Sequence, residues 1–200
     1  MGVDMVELDV RLCGSGELVV IHDDRIDRTT NGTGFVREKT LLELKQFDAG
    51  KGERIPTLFE VLDAVDRKVA VQIELKEYGT ALPVEETIRY YTVKKGWSRD
   101  RFVVSSFLSQ ELKIFKRFAP NIRIALLGDP SPEIFRQGIE LGANFINSHF
   151  SMITEEFVGK VHARKMKSVA FAVNHEEDIA RMKAYGVDGI VSDYPDKIGD

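Results

Sequence analysis

The chain has 200 residues, 43% hydrophobic and 30% charged, which supports one folded domain with a sizeable core and excludes a disordered chain. Lysines and arginines number 28 against 32 aspartates and glutamates, a net charge of −4 that argues against a nucleic-acid partner bound through a broad basic surface. One cysteine, Cys13, excludes a disulfide framework and a cysteine-rich zinc site.

The first strand candidate is MVELDV (5–10). Residues 11–57 then break the rhythm with an extra strand, ELVVIHD (17–23), and a turn-rich segment, RTTNGTG (28–34). A short helix, TLLELKQF (40–47), and a loop, DAGKGERIP (48–56), complete what reads as an insertion. Beyond it, the helix LFEVLDAV (58–65) is followed by the strand VAVQIEL (69–75) and the helix PVEETIRYYTVKK (83–95). The alternation continues through FVVSS (102–106), SQELKIFKRF (109–118), IRIALL (122–127), PEIFRQGIEL (132–141) and NFINS (144–148). It ends with TEEFVGKVHARK (154–165), SVAFAV (168–173), EEDIARMKAY (176–185) and GIVS (189–192). Pro83 and Pro132 mark helix starts, Ser109 and Thr154 are N-cap candidates, and Gly96, Gly142 and Gly186 follow helix ends.

Regular strand–helix alternation signals parallel βα units, which fit a doubly wound sheet or a (β/α)8 TIM barrel. No Gly-x-Gly-x-x-Gly turn follows a strand, and the acidic and polar residues sit late in their strands, so the expected class is α/β with a barrel. The barrel is short: seven main strands can be read, and typical barrels run to about 250 residues. A single domain over 1–200 is expected, with 11–57 as a small lid over the catalytic face.

Glu7 and Asp9 are two apart on a strand and share one face, and Glu74 and Lys76 repeat the arrangement on the next main strand. Three carboxylates at a barrel mouth suit a hard divalent cation such as Mg²⁺ or Ca²⁺. Salt bridging at the strand ends is the competing reading. His22, followed by Asp23 and Asp24, is a candidate for proton transfer beside that cluster, and an exposed loop histidine is the alternative. His162 and His175 read as solvated, and His149 follows a strand end. Ser105 and Ser106 lack a nucleophile elbow, and Asn31-Gly-Thr-Gly34 resembles a phosphate-cradling loop, with a plain turn the commoner explanation.

VELDVRL, GELVVIHDDRIDRTTNGTG, IPTLFEVLD, IELK, VSSF and AVN…GVDGIVSDYPD follow one another from Gly2 to Asp196. In combination they resemble the glycerophosphodiester phosphodiesterase family over nearly the whole chain. The resemblance implies a cation-dependent barrel that splits small-molecule glycerophosphodiesters into an alcohol and glycerol phosphate. It implies Glu7, Asp9 and Glu74 as metal ligands, His22 as the second catalytic histidine and Lys76 as a phosphate contact. Phe171 stands where many members carry tryptophan, as a pocket wall for the glycerol or leaving group. The family reaction implied uses the glycerol 2-hydroxyl as an internal nucleophile, through a cyclic phosphate that water opens.

The family's first strand, with its His-Arg-Gly and a following Pro-Glu-Asn-Thr, has no counterpart between Met1 and Asp200, and the last helix is nearly absent. The expectation is therefore a barrel lacking its first βα unit, whose open edges favour association into a homo-oligomer. Two alternatives stand beside the hydrolase: an impaired remnant that only binds metal or phosphodiester, and a related phospholipase-D-type phosphodiesterase. No run approaches the about 18–20 apolar residues of a membrane span, and no secretory signal pattern is visible, so a cytoplasmic location is expected.

Overall fold

The computed structural model describes residues 2–199. An eight-stranded sheet is built from β1 (Met5–Leu12), β2 (Leu18–Val20), β3 (Ala70–Leu75), β4 (Phe102–Ser106), β5 (Arg123–Leu127), β6 (Phe145–His149), β7 (Lys167–Phe171) and β8 (Gly189–Ile190). Their order is β2-β1-β3-β4-β5-β6-β7-β8. β1 and β3 to β8 are parallel to one another and follow chain order, while β2 lies antiparallel on the end of β1.

A short helix α1 (Leu41–Leu44) lies in the insertion, and α2 (Leu58–Val65) leads from it to β3. The later parallel strands are joined by α3 (Ala81–Lys94), α4 (Ser109–Phe118), α5 (Pro132–Leu141), α6 (Glu155–His162) and α7 (Glu176–Ala184). Parallel neighbours require such crossovers, and strands in unbroken chain order are the arrangement of a (β/α) barrel rather than a doubly wound sheet. The sheet curls strongly. Asn147 Nδ2 on β6 donates to Gln72 Oε1 on β3 at 3.4 Å, whereas three strand spacings in a flat sheet would part them by about 14 Å. The curl does not close: among the described residues β8 pairs with β7 alone, and β1 pairs with β3 and β2.

Strand alternation divides the core. Val71, Ile73 and Leu75 point outward and pack with Leu58, Leu62, Val84, Ile88 and Leu112 of the helices. Inside the curl, Val103, Ala125 and Leu127 pack with Met5, Phe145 and Phe171. Residues 11–57 hold a small core of their own from Val19, Ile21, Ile26, Val36, Leu44 and Ile55.

Several local expectations need correction. The strand over 17–23 shrinks to Leu18–Val20, leaving His22 in the loop beyond it. Past Ile21 a side-chain bond takes over, with the His22 carbonyl accepting from Arg11 Nε at 3.0 Å. α3 begins at Ala81, two residues before Pro83, because buried Glu111 reaches from α4 to accept from Ala81 N at 2.8 Å. Ser109 is the first residue of α4 and makes no cap bond; Ser106 Oγ accepts from Leu108 N instead, at 2.9 Å. Thr154 does cap α6, and α5 starts with Pro132 and closes at Gly142 in the left-handed region. Among the described residues no helix is long and apolar enough to cross a membrane.

Candidate active site

β1 and β3 run parallel with Glu7 opposite Gln72 and Asp9 opposite Glu74. Alternation turns Glu7, Asp9, Glu74 and Lys76 to the inner face, toward the C-terminal mouth of the barrel. One carboxylate oxygen from each of Glu7, Asp9 and Glu74 lies within 4.8 Å of the others. Lys76 Nζ stands 2.8 Å from Glu74 Oε1 and 3.5 Å from Asp9 Oδ1. The salt-bridge reading thus describes part of the cluster, yet among the described residues Glu7 has no cationic partner within 4 Å.

One ammonium cannot balance three carboxylates. Glu7 reaches solvent along the free edge of β1, but protein surrounds its carboxyl on most sides. That desolvation, followed by Asp9 and Glu74, pushes its pKa up to about 8 against the pull of Lys76. Burial also raises the pKa of Glu74, opposed chiefly by Lys76. All donors are hard oxygens, so the cluster fits a divalent cation better than a soft metal.

A pH dependence follows. The cation-free protein holds a proton on Glu7 below pH about 8, and a raised acid pKa makes this group's contribution to stability decline as pH rises from its unfolded value through 8. A cation must displace that proton, so its apparent affinity rises by up to about tenfold per pH unit between pH 6 and 8, with proton release visible by calorimetry in two buffers. Equal affinity at pH 6 and pH 8 would exclude Glu7 from the ligands.

The insertion leans on the same mouth: Ile21 N donates to Asp9 O at 3.0 Å. His22 follows Ile21 directly, in the loop after β2. Its ring is more than half exposed, with Nδ1 2.6 Å from Asp23 Oδ1. Asp23 in turn accepts from Arg28 Nε at 2.6 Å and from Arg28 Nη2 at 2.9 Å.

Phe171 ends β7 beside the mouth. Its ring stands perpendicular to those of Phe107, 6.0 Å away, and His149, 6.2 Å away. The sequence marks Phe171 as a pocket wall and His149 only as a histidine after a strand end, and gives Phe107 no role. The signal for the other two was available, since Phe107 continues the inward phase of Val103 and Ser105 past the end of β4, and His149 that of Phe145 and Asn147 on β6.

The remaining candidates fall outside this centre. Ser105 and Ser106 are fully buried, and Ser106 Oγ donates to Leu75 O at 2.7 Å. Asn31 ties the insertion's turn by accepting from Asp48 N at 2.8 Å. His162 is exposed, as expected, with Nε2 2.8 Å from Asp188 Oδ2. Cys13 is buried, and its Sγ donates to Glu17 at 3.1 Å. A 210 Å³ cavity lined by Ile88, Arg89, Phe118 and Pro120 lies where α4 ends, at the opposite end of the barrel.

Residues 1–197 match the Glycerophosphoryl diester phosphodiesterase family. A glycerophosphodiester phosphodiesterase of Caldanaerobacter subterraneus is 37% identical over 207 residues, covering 99% of this chain and 85% of the relative. An Oleispira antarctica phosphodiesterase, solved with the product sn-glycerol-3-phosphate, superposes with a TM-score of 0.88 at 32% identity, covering 98% of this chain and 84% of that one. The glycerophosphodiester phosphodiesterase of Agrobacterium tumefaciens gives a TM-score of 0.81 at 27% identity, covering 98% and 87%. With this barrel architecture and these matches along nearly its full length, the chain belongs to the glycerophosphoryl diester phosphodiesterase family and is a phosphoric diester hydrolase.

Proposed function

We propose that the chain hydrolyses glycerophosphodiesters to an alcohol and sn-glycerol 3-phosphate, with Mg²⁺ or Ca²⁺ held by Glu7, Asp9 and Glu74. The observation that carries this reading is the convergence of those three carboxylates beside Lys76, at the mouth of a barrel whose relative was solved with sn-glycerol-3-phosphate. When bound, the cation polarises phosphoryl oxygens and lowers the pKa of a coordinated hydroxyl.

The chain's own residues supply the rest. Lys76 offsets charge on the non-bridging phosphoryl oxygens. His22 exchanges protons with the attacking hydroxyl and the departing alcohol. Attack by the glycerol 2-hydroxyl forms one P–O bond as the bond to the alcohol breaks, and water then opens the cyclic phosphate. Phe171, with Phe107 and His149, presents an apolar wall to the glycerol or the departing alcohol. The substrate is a small molecule, and a cytoplasmic location is part of this reading.

Calorimetric titration with Mg²⁺ and with Ca²⁺ tests the ligand set. Wild type binds one cation, and Glu74→Gln, which keeps the shape and removes the charge, loses most of that affinity. Equal binding by the variant removes Glu74 from the site.

A second reading is favoured by the open flank between β8 and β1. The centre then binds cation and phosphodiester with little turnover, and the two sheet edges associate with a second copy. Turnover measurements separate the two readings.

A further inference from the structure

The turn block after His22 contains an arrangement that the hydrolytic reading leaves unused. We propose that Asp23 and Arg28 are positioning residues that hold His22 as its Nδ1–H tautomer, leaving the Nε2 lone pair free for proton exchange. This deepens the proposed function and rests on His22 being the proton carrier there.

The first support is geometric. Asp23 Oδ1 lies 2.6 Å from His22 Nδ1. An ionised carboxylate can only accept hydrogen bonds, so a bond at that distance requires the hydrogen on Nδ1. Arg28 and, after it, His22 hold the Asp23 carboxyl well below the usual carboxylate range, so it is ionised at neutral pH. Neutral His22 therefore carries no proton on Nε2.

Arg28 supplies the second support. Its Nε meets Asp23 Oδ2 at 2.6 Å and its Nη2 meets Oδ1 at 2.9 Å. This two-point grip fixes the plane of the carboxylate, which a single bond to histidine would leave free to rotate. The turn carrying Arg28 is itself anchored. Ile26 is fully buried in the insertion core, Thr30 Oγ1 donates to Ile26 O at 2.8 Å, and Gly34 N donates to Asp27 Oδ2 at 3.0 Å. From the other side, Arg11 Nε holds the His22 carbonyl at 3.0 Å.

Exposure gives the third. The side chains of His22 and Arg28 are 60% and 64% accessible. Ion pairs this exposed add little to stability. Orientation of the ring is what they can change, since a proton carrier in the wrong tautomer cannot act as a base.

Nitrogen NMR of the ¹⁵N-histidine-labelled full chain tests the proposal, with His22→Gln assigning the His22 signals. Wild-type His22 is expected to show Nδ1 protonated and Nε2 bare in its neutral form. Asp23→Ala is expected to move it largely to the Nε2–H form, and Arg28→Met to a mixture. Both variants should melt within about 2 °C of wild type, as surface changes do. Nε2–H in wild type, or an unchanged tautomer in Asp23→Ala, overturns the proposal, and an unchanged tautomer in Arg28→Met removes Arg28 from it. Hydrolysis of glycerophosphocholine supplies the separate readout, with kcat of Asp23→Ala falling by about tenfold or more while KM holds. A tautomer that shifts while kcat stays constant supports the clamp and takes His22 out of proton transfer, so the two failures are distinguishable.

Discussion

Glycerophosphocholine is expected to turn over about 10²–10⁴ times faster when an eighth parallel strand, carrying a histidine and an arginine, closes the flank between β8 and β1 than in the 200-residue chain. Among the described residues the flank is open to hydrogen bonding on both sides, since β8 pairs with β7 alone and the first half of β1 with β3 alone. Within the described residues His22 sits in the loop that leans on the carboxylate mouth through the bond from Ile21 N to Asp9 O, and it is the histidine assigned to proton transfer. Single-histidine acid–base chemistry must serve both the attacking hydroxyl and the departing alcohol. A second histidine separates those roles and is worth about 10²–10⁴-fold, and a phosphate-binding arginine adds an electrostatic effect of about 10²–10³-fold. Both act on one step, so they do not multiply fully. The comparison fuses such a strand to the N-terminus and measures turnover alongside a melting curve for each form. Equal rates, with both forms melting cooperatively, would mean that His22 or another group already does both proton transfers, and the second reading of the function would fall.

The barrel was legible in the sequence because its signal is repetitive. Runs such as FVVSS and IRIALL between amphipathic helices report parallel strands buried on both faces, and the same alternation put Glu7, Asp9, Glu74 and Lys76 on one face. Boundaries were less legible where a distant residue decides them. Nothing near Pro83 announces that Glu111, in the next helix, will cap α3 two residues earlier. Leu18–Val20 is short, and at His22 a side-chain bond from Arg11 meets the carbonyl where a ladder bond was expected, a replacement that leaves no periodic trace. The Asp23–Arg28 pair was hidden for a similar reason: a five-residue separation across an irregular turn belongs to no helix or strand spacing. Phe107 and His149, by contrast, needed only the strand alternation carried two residues further.

Lys76→Met is expected to lower kcat by about 10²–10³-fold, the cost of losing one preorganised electrostatic stabiliser, while leaving cation binding intact or tighter above pH 9. Lys76 is nearly buried between Asp9 and Glu74, and its first effect is to make ionised carboxylates tolerable there. Were that its whole role, a bound cation would take it over, and the variant would turn over normally once saturated with metal. A phosphodiester brings further negative charge on its non-bridging oxygens, and the developing transition state concentrates it, so an ammonium at this position gains work that the cation alone does not cover. Removing it also removes a like charge that competes with the cation for Glu74 and Asp9. The pH matters for the comparison, because without Lys76 the pKa values of Glu7 and Glu74 rise further and protons would mask the tighter binding near neutrality. Lys76→Arg restores the charge but replaces a compact ammonium with a planar fork, so it should recover part of kcat and none of the change in cation affinity. A Lys76→Met enzyme that reaches the wild-type kcat at saturating cation would reduce Lys76 to a counter-ion and remove it from phosphate contact.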